Sequence, residues 1–194
     1  MKRNITLLVI TAALFLVFNN ITFGQPVKVK ANSMTVQGSS SLHDWESQIT
    51  KAEWKGLFQI ENLALVDVKN VEVKIPVESI KSTKGKIMDS KTYDAFDAKK
   101  HPFIIFSLTS AKINQTAGTI DAKGTLTMAG ATRPIELQAK YKVLPSGELQ
   151  VTVSKALKMT DFKMEPPTAM MGTIKVGDEV TVNFDATINT KLIQ

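Results

Sequence analysis

Polar and apolar residues alternate along most of the chain after position 25. Three segments show the pattern most clearly, with apolar side chains at every second position: 71–77, 135–143 and 180–188. A period of two is typical of strands that bury one face and expose the other. Because such strands occur mainly in antiparallel sheets, the pattern predicts an all-β fold.

Short turn motifs separate the predicted strands. Residues 115–118, 129–132 and 145–147 each contain a glycine, and the third motif adds proline and serine. These residue types favour turns, and consecutive strands joined by short turns form a meander. We therefore expect about eight antiparallel strands, enough to close a barrel that holds side chains or one small ligand.

A short helix is predicted at residues 86–98, where the alternation stops. Tyr93 and Phe96 are three positions apart, and Ile87 falls roughly on the same helical face. Pro102 disfavours helical structure in the residue before it, so the helix should end earlier.

A second interruption covers residues 161–177, which we call the lid loop. Pro166 and Pro167 exclude a regular helix or a central strand there. Long loops without secondary structure are usually functional or disordered. Four apolar side chains favour packing over something apolar: Phe162, Met164, Met170 and Met171.

The start of the chain has the layout of a secretory signal peptide. Two basic residues precede the apolar run Ile5–Phe18, and the small residues Thr22 and Gly24 precede Gln25. The run is shorter than the roughly 20 residues of a membrane-spanning helix. We predict a signal peptide at residues 1–24, one domain at residues 25–194, and a mature protein in the periplasm or secreted.

Composition excludes several alternatives. The chain has 194 residues, a net charge of +6 and no cysteine, so it forms no disulfide and carries no lipid anchor on cysteine. Its lysines alternate with apolar residues and do not cluster with aromatic ones, which indicates solvated strand faces. We therefore expect no nucleic-acid partner.

The segment Ser41–Trp45 holds one of the two histidines beside a serine and an aspartate. Serine nucleophiles need a histidine base that an acid orients. If the segment is a strand, Ser41 and His43 share one face and Asp44 points to the other, so no relay forms. Asp94 and Asp97 are interpreted as a solvated helix face. We expect no catalytic residues and no enzyme.

Metal binding is poorly supported. Zinc sites usually take three or four histidine or cysteine ligands, and the chain has two histidines and no cysteine. Thioethers can ligate Cu(I), but the irregular spacing of the methionines among apolar residues favours an apolar lining. We predict no metal site. A metal or haem-linked redox partner that uses His43 and the methionines remains an alternative.

Four segments, in order along the chain, resemble the YceI-like family. Ile75–Ser82 is similar to its strand ending in a Ser-Ile turn, and Asp89–Ser110 to its acidic helix followed by a Lys-x-Pro-x-Ile-x-Phe strand. Gly124–Leu137 is similar to its Gly-x-Leu-Thr segment, and Met159–Ile188 to its final lid and strand.

The resemblance implies an exported, lipocalin-like antiparallel barrel of about eight strands, with one short helix and a long lid loop. Family members bind isoprenoid quinones, polyisoprenoids or other long-chain amphiphiles in the lumen, and the family brings no catalytic residues. Here Asp44 and Trp45 follow His43 where many members have Leu-Gly, so the ligand's identity is open. If Trp45 narrows the lumen, a fatty acid derivative would be favoured over a long polyprenyl chain.

We predict an exported carrier of an amphipathic long-chain lipid, with no cofactor other than such a ligand. The strand pattern does not decide whether Ile104 and Phe106, or Phe103 and Ile105, face inward. The residues predicted to line the lumen or lid are Leu42, His43, Trp45, Phe58, Ile75, Phe96, Ile104, Phe106, Leu126, Thr127, Met170 and Met171.

Three points stay open at this stage. A filled barrel could serve as a structural or stress-protective envelope protein without a stored ligand. Contact with a membrane surface would be transient, and a homodimer is an alternative to a monomer.

Overall fold

The computed structural model describes residues 25–190, so the predicted signal peptide lies outside the described residues. Within this range the chain is almost entirely β-structure, which confirms the predicted fold class. The helix α1 covers Lys86–Ala95. The strands are β1 Gln25–Pro26, β2 Lys28–Ser40, β3 Trp45–Ile49, β4 Glu53–Glu61, β5 Ala64–Pro76, β6 Ile80–Ser82, β7 Phe103–Asn114, β8 Thr119–Met128, β9 Ala131–Val143, β10 Leu149–Lys158, β11 Thr168–Ala169 and β12 Ile174–Asn189.

Kinks divide some strands, so the segments outnumber the predicted strands. β1 and β2 are separated only by Val27, β3 and β4 by residues 50–52, and β5 and β6 by the 3₁₀ turn Val77–Ser79. Joining these pairs, and setting aside β11, which pairs only with β12, leaves eight antiparallel strands. The described residues thus form more separate strand segments than the eight strands predicted, although the antiparallel architecture is as predicted.

The curled sheet returns to its starting strand. β4, β5, β7, β8, β9, β10, β12 and β2 follow one another as neighbours. β1, which continues into β2, pairs with β4, and the Val27 N–H donates to the Trp54 carbonyl at 3.1 Å. The wall is nevertheless split on one side, because β9 and β10 pair only from Leu149 to Val153.

Strand register decides which side chains face inward. Val73 pairs with Phe106, Ile75 pairs with Ile104, and Phe106 pairs with Leu126. Val73, Ile75 and Leu126 are buried, so this face forms the interior. Phe103 lies on the outer face, where the Lys74 ammonium sits 3.9 Å from its ring centroid. The structure thus resolves the ambiguity that the run 103–106 left open.

The two ends of the barrel differ. At the lower end, tight turns join the strands, and Leu65 and Leu149 are fully buried. At the upper end lie α1, residues 41–44 and the lid loop. α1 ends at Ala95, three residues earlier than predicted.

The lid loop is more structured than predicted. It begins within a 3₁₀ turn at Thr160–Phe162, contains β11, and its last residues belong to β12. Phe162 and Met164 are buried against Leu126 and Val180, as expected for packing over an apolar surface. Arg133 of β9 fixes the start of the loop, because its Nε donates to the Asp161 carbonyl at 2.8 Å.

Candidate functional site

The barrel encloses a cavity of about 490 Å³, open toward the upper end. This volume lies within the roughly 300–1,000 Å³ typical of ligand pockets. Its lining is overwhelmingly aliphatic and aromatic. Apolar lining residues include Val36, Trp54, Phe58, Val73, Ile75, Ile104, Phe106, Ile120, Leu126, Leu137, Val153, Leu157, Val182 and Phe184. Such a surface binds hydrocarbon in preference to water.

Polar lining residues are confined to the upper part of the cavity. Ser47 of β3 pairs with Ser82 of β6, and both strands lead to the upper end. Below this level the lining is apolar. The side chains with a hydroxyl, imidazole or ammonium group are Ser40, His43, Ser47, Ser82, Lys84, Lys91, Thr92, Lys155 and Thr168. The few polar side chains of the lining are therefore all at one end of a largely apolar cavity.

Residues 41–44 form a turn rather than the predicted strand. Ser40 closes it, because its Oγ donates to the His43 carbonyl at 2.7 Å and accepts the N–H of His43 at 3.2 Å. In this turn Leu42 and His43 both line the cavity, although a strand would have placed them on opposite faces. Ser41 Oγ accepts the Lys175 N–H at 3.1 Å, which ties the turn to β12.

Trp45 begins β3 and lines the cavity beside this turn. Its Nε1 donates to the Ser39 carbonyl at 3.0 Å, so the ring is held by its polar edge. The ring packs against the upper core that contains Leu126 and Val180. Trp45 thus occupies space at the upper end of the cavity.

Most of the predicted binding residues lie in the cavity wall. Those that line it are Leu42, His43, Trp45, Phe58, Ile75, Phe96, Ile104, Phe106 and Leu126. They come from five strands, the turn at residues 41–44 and the end of α1. The structure therefore brings them together around one space, and their contact with a ligand stays a prediction.

Thr127, Met170 and Met171 do not line the cavity. Leu126 faces inward, so its neighbour Thr127 points outward, where its Oγ1 lies 2.8 Å from that of Thr132. Met170 and Met171 are exposed at the tip between β11 and β12, each with a positive φ angle. Apolar character alone could not distinguish these methionines from the buried Met164.

Several residues that line the cavity were not predicted from the sequence. Val153, Lys155 and Leu157 of β10 all face the cavity. These three residues are spaced by two, as on one face of a strand, but a lysine between two apolar residues usually indicates a solvent-exposed position. Met88 and Lys91 of α1 also line the cavity, and only the docking of the helix across the upper end reveals them.

Hydrogen bonds fix the elements that cover the upper end. Asp89 of α1 accepts the Ser82 N–H at 2.7 Å. Tyr93 Oη accepts from Lys81 Nζ at 2.6 Å, and this hydrogen bond is the main reason that the pKa of Lys81 is raised. Asp178 accepts from Thr160 Oγ1 at 2.7 Å and from the Thr160 N–H at 2.9 Å, and these bonds lower the pKa of Asp178.

The side chains that could bind a metal or form a catalytic carboxylate pair do not cluster in the described part of the chain. Among residues 25–190 no three histidine, aspartate or glutamate side chains converge on a metal-sized site. Met159 and Met164 are buried, whereas Met170 and Met171 are exposed. The Asp97 carboxylate accepts from Lys100 at 2.9 Å, which lowers the pKa of Asp97.

No described helix is both long and apolar enough to cross a membrane.

Solved structures with the same fold come from several bacteria. Burkholderia cenocepacia BcnA superposes with a TM-score of 0.63 at 16% identity, over 80% of this chain and 95% of BcnA. A polyisoprenoid binding domain from Saccharophagus degradans, implicated in plant cell wall breakdown, gives 0.62 at 13% identity, over 87% of this chain and 99% of that domain. A Campylobacter jejuni YCEI protein gives 0.56 at 19% identity, over 98% and 100%. These similarities show a shared fold.

No curated protein sequence gives a significant match to the chain. The YceI-like domain family, in contrast, matches residues 20–188, which confirms the resemblance seen in the sequence motifs. Because the match spans most of its length, the chain belongs to the YceI-like family.

Proposed function

We propose that this protein is a binding protein, not an enzyme, which carries one amphipathic long-chain lipid with its chain in the barrel and its head group at the upper end. The observation that carries the proposal is the largely apolar cavity, whose few polar side chains lie at and above the level of Ser47 and Ser82. The Saccharophagus degradans domain of the same fold, described as polyisoprenoid binding, supports a lipid ligand.

Energetics favour a long chain. Burying each methylene contributes about 0.8 kcal/mol, so ten methylenes contribute about 8 kcal/mol. Association costs of the order of 4–15 kcal/mol oppose this gain. A short-chain ligand would therefore bind weakly, whereas a fatty acid derivative or an isoprenoid has enough hydrocarbon to bind tightly.

Native mass spectrometry of protein purified gently from its own host tests the proposal. We expect a co-purifying lipid, which extraction then identifies. Ala122→Phe places a large ring on the cavity wall and should abolish co-purification, whereas Ala156→Phe on the exposed face of β10 should not. A ligand-free wild-type protein would favour the alternative of a filled, protective envelope barrel.

The proposed carrier works outside the cytoplasm, in the periplasm or after secretion. The basic start, apolar run and small residues before Gln25 support this location. Cell fractionation and N-terminal sequencing test it, with a mature N-terminus expected at Gln25. Full-length protein in the cytoplasmic fraction would contradict the location but leave the cavity's function intact.

A lipid carrier must reach a membrane, and exposed apolar side chains at the upper end offer a transient contact. Leu42 lines the rim, and Met170 and Met171 project from the lid loop. Apolar side chains of this kind insert into the membrane interface. Replacing both Met170 and Met171 by Ser should weaken binding to phosphatidylcholine vesicles that contain anionic lipid, in a flotation assay.

Leu63→Ser provides the matched control for this assay. Leu63 is also exposed and apolar, but it lies in the turn between β4 and β5 at the lower end. It should leave vesicle binding unchanged. Equal flotation of the wild type and the double serine variant would refute the rim as the contact surface.

A further inference from the structure

Charge is distributed unevenly around the cavity. Lys84, Lys91 and Lys155 line it, together with His43, and among residues 25–190 no aspartate or glutamate does. The chain as a whole carries 24 basic and 18 acidic residues, so acids are not scarce elsewhere. The lining therefore contains three lysines and a histidine, and no carboxylate opposes them there.

Lys155 is placed on the inner face by strand register. It pairs with Val182 of β12, a residue that also lines the cavity. Its neighbours two positions away, Val153 and Leu157, line the cavity as well, while Ser154 and Ala156 are exposed. The lysine thus interrupts an inward row of apolar side chains.

The structure contains no neutralising partner for Lys155 within residues 25–190. Its ammonium forms no ion pair with a carboxylate among the described residues, and it is not sealed from solvent, because no buried side-chain nitrogen lacks a partner there. Its charge does reach Glu136 on the outer face of β9. The pKa of Glu136 is lowered mainly by its hydrogen bond with Lys123, and Lys155 adds a smaller lowering.

The position explains how a lysine is tolerated in this wall. β9 and β10 stop pairing at Val153, and Lys155 is the next inward-facing residue beyond it. A long aliphatic stem can lie along the apolar wall while the ammonium reaches the split. Following the register around the barrel, Lys155, Val182, Val36, Ser47 and Ser82 form one row at the base of the polar region.

We propose that the bound amphiphile carries an anionic head group, a carboxylate or a phosphate, which Lys155 binds inside the split and Lys84 and Lys91 attract at the rim. This inference rests on the proposed lipid-carrier function and specifies its ligand class. Ammonium groups form charge-assisted hydrogen bonds with carboxylates and phosphates, and these are stronger than bonds to a neutral hydroxyl. The same lysines give a neutral head group no comparable advantage.

Three probes with the same saturated chain test the head-group charge: palmitate, hexadecyl phosphate and hexadecanol. Delipidated full-length mature protein would be titrated with each, and the fluorescence of Trp45 and Trp54, which both line the cavity, would report occupancy. We expect the anions to bind at least about tenfold more tightly than the alcohol. The tighter of the two anions indicates whether the natural head group is a carboxylate or a phosphate.

Lys155→Met keeps the stem and removes the charge, so it should reduce this preference about tenfold and leave hexadecanol binding unchanged. Lys155→Arg should retain the preference. Lys158→Met is the matched control, because Lys158 lies on the same strand but faces solvent. A double Lys84→Met and Lys91→Met variant separates attraction at the rim from binding in the split, and it should retain most of the preference.

The outcomes separate this inference from the function on which it rests. Equal affinity of the wild type for palmitate, hexadecyl phosphate and hexadecanol would overturn the anionic head group while supporting the lipid carrier. An anion preference that survives unchanged in Lys155→Met would overturn the role of Lys155. Failure of all three probes to bind would instead count against the carrier function. The wild-type comparison remains decisive even if Lys155→Met does not fold.

Discussion

Gly124→Ala should destabilise the protein even though glycine is a poor strand residue. A Cβ at position 124 would lie 2.5 Å from the Ser107 carbonyl oxygen and 2.6 Å from Phe106 Cε2. Replacing a strand glycine by alanine normally gains roughly 0.5–1 kcal/mol, whereas overpacking of this kind costs about 1–3 kcal/mol. We expect a net loss of about 1–2 kcal/mol, because the Ser107 oxygen belongs to the paired strand β7 and cannot move aside freely.

For a domain of this size the loss lowers the Tm by about 2–8 °C in a thermal melt followed by circular dichroism. Gly56→Ala is the matched control, because a Cβ there meets only side chains, Phe58 Cε2 at 2.8 Å and Val71 Cγ2 at 3.1 Å. It should cost less. An unchanged or raised Tm for Gly124→Ala would refute the reasoning.

A double-mutant cycle separates the two contacts at Gly124. Phe106→Leu removes the ring atoms but leaves the Ser107 carbonyl in place. Gly124→Ala should therefore cost less in the Phe106→Leu background but should still destabilise the protein. A fully neutral Gly124→Ala in that background would show that the aromatic ring alone causes the strain.

Two further predictions concern the lid loop. Phe162→Ala should destabilise the fold by about 3–5 kcal/mol in denaturant unfolding, because Phe162 is 2% exposed within the upper core and its loss leaves a cavity; an unchanged unfolding midpoint would contradict this packing. The pKa of Asp178 is lowered in the folded protein by its hydrogen bonds from Thr160. Its stabilising effect is therefore fully present above the unfolded-state pKa near 4 and is lost as the pH falls through the lower folded-state pKa. Asp178→Asn should reduce the steepness of this acid destabilisation in urea melts between about pH 5 and 2, and an identical pH profile would contradict it.

The alternation of polar and apolar residues was sufficient to predict the strands, but not which face of each strand points into the barrel. Alternation over 71–75, 135–143 and 180–188 correctly grouped the residues that share a face, because side-chain direction in a strand follows from the backbone alone, whereas Val77 lies in the 3₁₀ turn after the strand. It could not assign 103–106, where apolar side chains occupy both faces. Only pairing of Phe106 with Val73 and Leu126 placed Phe106 inside.

The turn at residues 41–44 shows a different limit. Its predicted strand geometry was wrong, because Ser40 uses its side chain to close a turn that competes with strand pairing. His43 nevertheless lines the cavity, because the turn itself brings Leu42 and His43 to it.

By itself the sequence determined the fold class, the positions of the two irregular segments and the resemblance to the family, because these depend on periodicity, turn chemistry and motifs that are local in the chain; the strand count was only approximate. Tertiary structure alone decided that the barrel is hollow, that its wall splits beyond Val153, and that Lys155 faces inward while Thr127 and Met171 do not. The physical reason is that a cavity is a relation among distant strands. Its size, its polarity and its charge arise from register and closure, which no single segment specifies.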